Sequence, residues 1–168
     1  MSHATTIDEL CKASDMAGRI APMLGIEPQT VHDYVRQLKR EGHVHAAGVL
    51  GKGGKTNGKL FDRAWTLALG VALAVNGCGV SDRRVLGPIL AELMRPDPDY
   101  GSLARRIIVE AGEGENWMMR ADVAGHVGQG GRVDVHIYNA RVPPVPRDIT
   151  MSFVASLSLF VVNLGLEA

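Results

Sequence analysis

Only two of the 168 residues are cysteine, Cys11 and Cys78. That excludes a disulfide framework and points to a reduced, cytoplasmic setting. Lysine is absent beyond residue 59, and 18 basic side chains are balanced by 18 acidic ones, so the chain as a whole is not a strongly basic nucleic-acid protein. The start of the chain lacks a charged segment followed by an apolar run, so no secretory signal is expected. The stretch ITMSFVASLSLFVVNLGL, residues 149–166, is 18 residues without a charge, at the lower limit for a membrane span. Thr150, Ser152, Ser156, Ser158 and Asn163 dilute it, and its first half alternates as a half-buried strand does. A strand running into a buried helix is expected there, and no membrane insertion. No internal repeat is present.

Catalytic and metal constellations are equally thin. His43 and His45 are two apart and Cys11 could approach them, but no second close pair completes a zinc site, so neither metal nor cofactor is expected. No serine lies in a nucleophile-elbow motif, and neither cysteine has an activating context. Asp97 with Asp99, and Glu113 with Glu115, sit in turn-like segments, as solvated carboxylates do. The run GKGGKT, residues 51–56, looks like the end of a phosphate-binding loop. That motif requires a glycine where Val49 stands, and Asn57 and Gly58 follow where a helix should begin. The chain is therefore not expected to be an enzyme.

What the sequence does have is residues 16–42, MAGRIAPMLGIEPQTVHDYVRQLKREG. Asp15 can cap a first short helix. Ile20 and Leu24 share a face of it, beside the small Ala17 and Ala21. Gly25 supplies a turn with positive φ, Ile26 an apolar plug, and Pro28 a preset φ for the next helix. Val31, Val35 and Leu38 recur at helical spacing and face inward. Gln29, Thr30, His32, Asp33, Arg36, Gln37 and Arg40 are left outside, and Gly42 ends the helix. The charges are unevenly placed. All five lysines (Lys12, Lys39, Lys52, Lys55, Lys59) lie in the first 59 residues, whereas residues 60–168 hold ten arginines and twelve acids. A mildly basic front and mildly acidic back suit a chain whose front alone meets phosphate.

These residues resemble the helix-turn-helix of winged-helix transcription regulators of bacteria and phages. Ala21, Gly25 and Val31 match that motif's small residue, turn glycine and buried aliphatic, and VRQLKREG, residues 35–42, is similar to the end of its recognition helix. The resemblance spans about the first 60 residues. It implies an α+β chain: a winged helix-turn-helix over 1–60, then a dimerisation or effector domain over 61–168 with helices and a small antiparallel sheet. It further implies a homodimeric regulator, a repressor acting by occupancy of a double-stranded DNA operator. Thr30, His32, Asp33, Arg36 and Gln37 would face the bases, and Gln29, Arg40, Lys52, Lys55 and Lys59 the phosphates. Glu27 and Asp33 place negative charge near those phosphates. They favour an alternative, a winged-helix module that grips another regulator without specific DNA binding; the wing lysines oppose it.

Elsewhere the pattern predicts a helix over 7–13 with Leu10 inward and a wing strand over 43–49, with residues 59–61 as candidate partner. An apolar helix is expected over 63–75, buried or self-associating, then helices over 82–94 and 102–111 and strands over 117–127 and 132–139. His126 and His136 are expected as neighbours on the last two strands. Pro143, Pro144 and Pro146 mark a loop. The helix at 63–75 and the apolar C-terminal stretch are candidate dimer surfaces.

Overall fold

The computed structural model describes residues 10–46, 48–49, 59–80, 83–125, 131–139, 147 and 149–167. Within them the fold is mixed α+β. Strand β1 (Leu10–Lys12) leads into α1 (Ala13–Leu24), α2 (Pro28–Arg40), β2 (Gly48–Val49) and β3 (Lys59–Asp62). Helices α3 (Ala64–Gly77), α4 (Arg83–Leu93) and α5 (Leu103–Gly112) follow, then β4 (Trp117–Ala124), β5 (Arg132–Asn139), β6 (Met151–Ser156) and α6 (Leu157–Asn163). The two sheets are small and antiparallel, in the orders β1-β3-β2 and β5-β4-β6.

Helix α3 is central. Every residue from Ala64 to Leu73 is buried, as a segment apolar on all sides requires. Helices α1, α4, α5 and α6 pack around it. Buried side chains from α1 and α2 join those of α3 to α6 and β4 in one cluster, and β3 runs across residue 60, where a division was expected. The Asp62 carboxylate fastens the junction. It receives Arg105 of α5 through Nε at 3.0 Å and Nη2 at 2.8 Å, and accepts from the Ala64 N–H at the start of α3.

In the second sheet, Met119, Ala121 and Val123 of β4 face the core with Ile137, Val135 and Val133 of β5. The opposite face of β4 bears Arg120 and Asp122, only 3% and 1% exposed and paired at 2.8 Å. Ser152 Oγ donates to Asp122 at 2.7 Å.

Two sequence-based expectations are corrected. Residues 10–12 are not the end of a helix but strand β1, because their partners are Asp62, Phe61 and Leu60 of β3. The Lys12 N–H donates to the Asp15 carboxylate at 2.8 Å, which starts α1 at Ala13 and stops it extending backwards. Asp15 thus caps from inside the first turn. Likewise, residues 43–46 are not wing strand. The His43 N–H bonds back to Leu38 O at 2.9 Å to close α2, and among the described residues Gly48 and Val49 alone pair there, with Leu60 and Lys59. The expected helices from α3 onward and the strands from β4 onward are observed, with ends shifted by a few residues. The proline loop, His126 and residues 7–9 lie outside the described residues. Among the described residues no helix is long and apolar enough to cross a membrane.

Leu69→Ala, at a position with no exposure, is expected to lower unfolding free energy by about 2–5 kcal/mol in urea titrations. Asp122→Ala, which removes one half of the buried Arg120–Asp122 pair, is expected to lower it by about 3–5 kcal/mol in the same assay.

Candidate nucleic-acid interface

The interface is built on the α1–α2 pair. Helix α1 ends in Gly25 at φ +66°, and the Ile26 N–H reaches back to Ala21 O at 3.1 Å, a closure a residue with a Cβ adopts only under strain. Ile26 tucks against the core, and Pro28 opens α2 two residues later. Helix α2 buries Val31, Tyr34, Val35 and Leu38 as one stripe. Arg83 of α4 lies over the Tyr34 ring at 5.2 Å and pairs with Glu41 at 3.2 Å, tying the end of α2 to the body. Burial pushes the Tyr34 phenol up to about 12, with the Arg83 charge opposing.

The residues expected to read or hold DNA occupy three sectors of α2. Gln29, Asp33, Arg36 and Arg40 are exposed on its outer face. There Asp33 Oδ1 accepts from Gln29 Nε2 at 2.9 Å and from Arg36 Nη1 at 3.2 Å, so an acid and two intended contact residues already form a linked set. Thr30 and Gln37, seven apart, point to one flank, where Gln37 donates to Glu41 at 3.0 Å. His32, Arg36 and Lys39 recur at i, i+4 and i+7 and line the other flank, next to the first sheet.

That second flank forms a groove of about 380 Å³ between α2 and the β1-β3 strands. Its rim carries Lys12, His32, Arg36, Lys39 and Lys59, and Val35 and Phe61 give it an apolar lining. Ala13 and Ser14, the first turn of α1, also line it. Contact with the Lys59 side chain pushes the Lys39 ammonium below its ordinary range, and burial adds a smaller push in the same direction.

Of the expected site residues, the structure therefore brings His32, Arg36 and Lys59 together in the groove and sets Thr30 and Gln37 apart from them. Lys52 and Lys55 lie outside the described residues. Lys12 and Lys39 were not foreseen. The spacing of His32, Arg36 and Lys39 was a usable signal for Lys39. Lys12 had none, since it reaches the groove through its pairing with Leu60.

Cys11 and His136 lie apart from this groove. Burial pushes the Cys11 thiol up, with a hydrogen bond from Thr66 opposing, so it is held as the unreactive thiol. His136 Nε2 lies 3.8 Å from Asp122 Oδ2. Among the described residues, no three His, Cys, Asp or Glu side chains are gathered closely enough to hold a metal ion.

Lys59→Gln removes the like charge and is expected to raise the Lys39 ammonium back toward its ordinary range, as checked by NMR titration of the lysine side chains. Comparison of the chain with protein-family profiles and with curated proteins returns no match.

Proposed function

We propose that this protein is a sequence-specific double-stranded DNA-binding regulator of the winged helix-turn-helix type, acting in the cytoplasm as a homodimeric repressor that occupies an operator. One observation carries this reading. The element order β1-α1-α2-β2-β3, with sheet order β1-β3-β2, sets a polar helix on an apolar stripe beside a small sheet, and places cations on both sides of the helix–sheet junction. A helix so mounted fits a major groove, with the sheet alongside the backbone.

Base reading then falls to the outer face of α2. Arg36 offers a forked donor suited to a guanine edge, and Asp33 an acceptor suited to a cytosine amino group. Arg40, with Lys52, Lys55 and Lys59 of the wing, serves the phosphates. For dimerisation, α3 is consumed by the core. Among the described residues the large apolar side chains left exposed are Val109 on α5 and Met151, Val154, Leu159 and Val162 on β6 and α6, and the last four form the self-association surface in this reading. No cofactor takes part.

A second reading, a module gripping another regulator, is favoured by the Asp33 hydrogen bonds, which partly satisfy Gln29 and Arg36 without any nucleic acid.

Selection from random duplexes at near-physiological salt separates the two. Enrichment of an inverted repeat is the result expected of a dimeric reader; retention without enrichment moves the assignment to the protein module. With an enriched site in hand, Arg36→Ala is expected to cost about 1–3 kcal/mol at one base position and to relax discrimination there. Replacing Lys52 and Lys55 is expected to weaken all sequences alike and to flatten the salt dependence by roughly 0.9 for each phosphate no longer neutralised.

A further inference from the structure

We propose that the groove between α2 and β3 is a binding site for a phosphate ester. Three ammonium groups reach it from three separate elements, Lys12 on β1, Lys39 on α2 and Lys59 on β3, joined by Arg36 and His32. No carboxylate is among the described residues lining it. Long lysine side chains on a surface are free to diverge; here Lys39 and Lys59 meet, at the expense of the Lys39 charge. An anion between them turns that repulsion into two attractions. Ala13 and Ser14 in the first turn of α1 line the same side, while the Asp15 carboxylate of that turn is turned back onto the Lys12 N–H.

Shape narrows the ligand class. A volume of about 380 Å³ is in the range of small-ligand pockets and exceeds what a bare phosphate fills. The apolar lining from Val35 and Phe61 suits a sugar or base attached to the phosphate. Lysine meets phosphate as a point charge, and three lysines line the groove; Arg36, bonded to Asp33 at 3.2 Å, stands at its rim. That chemistry has two sources, the sugar-phosphate backbone of a duplex and a free nucleotide. The duplex source rests on the regulator reading above; the free-nucleotide source does not.

The test uses the full chain with isotopically labelled lysines, titrated separately with inorganic pyrophosphate, adenosine monophosphate and a short duplex. Each probe that binds is expected to shift the Lys39 and Lys59 ammonium signals and to restore the Lys39 pKa. The double variant Lys39→Gln with Lys59→Gln is expected to lose roughly tenfold in affinity per lysine, with circular dichroism unchanged. Lysine-to-arginine replacements at both positions are expected to retain binding. Mutual exclusion of nucleotide and duplex supports one shared site. Binding of the duplex alone, lost in the double variant, supports the site with the backbone as its occupant. Binding of nucleotide or pyrophosphate without duplex keeps the site and overturns the regulator reading. Duplex binding that leaves both lysine signals in place and survives the double variant overturns the site while the regulator reading stands. No binding by any probe overturns both.

Discussion

The structure depends on one requirement, that α3 be enclosed on every side. A helix whose surface from Ala64 to Leu73 is wholly buried cannot rest on one neighbour, so it draws α1, α4, α5 and α6 around it. Its small residues set how closely they come. At Gly70, an added Cβ would lie 3.2 Å from Leu164 Cδ1. Because α1 is one of the enclosing helices, the position of α2 is inherited from α3 by way of α1. The Asp62–Arg105 pair adds a second link, from the first sheet to α5. The polar face of α2 is therefore mounted on the body of the molecule and not on a freely tethered head.

How much of this was legible follows the range of the interactions. The α1–α2 turn was readable because its determinants are local: Gly25 and Pro28 act on their own φ, and Val31, Val35 and Leu38 declare a face by spacing alone. The buried character of α3 and the passage from strand to helix within residues 149–166 were readable for the same reason, but α6 is not the buried helix expected there, since it leaves Leu159 and Val162 exposed. Strand β1 was not. Three residues pair with a segment near position 60, and nothing in LCK favours strand without that partner. The groove shares this origin, since its three lysines meet only after β1 and β3 are in register. Arg120 and Asp122 gave no signal either: charged side chains on a strand ordinarily face water, yet both are almost completely buried.

Electrostatically, a neutral chain has become a directional object. Lys12, His32, Arg36, Lys39 and Lys59 gather along one side of α2, while Asp33 sits on its outer face and offsets part of their field. Such an arrangement suppresses indiscriminate attraction to any polyanion while leaving strong local fields for a ligand that fits.

The Arg19 side chain of α1 donates to the carbonyls of Leu164, at 2.9 Å, and of Gly165, hydrogen bonds spanning 145 and 146 residues of sequence. Arg63 reaches the same Gly165 carbonyl, and Leu164 and Leu166 are buried beside them. On the ribosome, α1 emerges long before these acceptors exist. It must wait, partly dressed, with Met16 and Ile20 seeking cover. The contacts of α1 with residues 164–165 are thus the last to become available as the chain is made, and long-range closure of this kind slows acquisition of the native state. A translating chain halted before that point would hold α3, α4 and α5 but not the carbonyls of Leu164 and Gly165 that Arg19 grips.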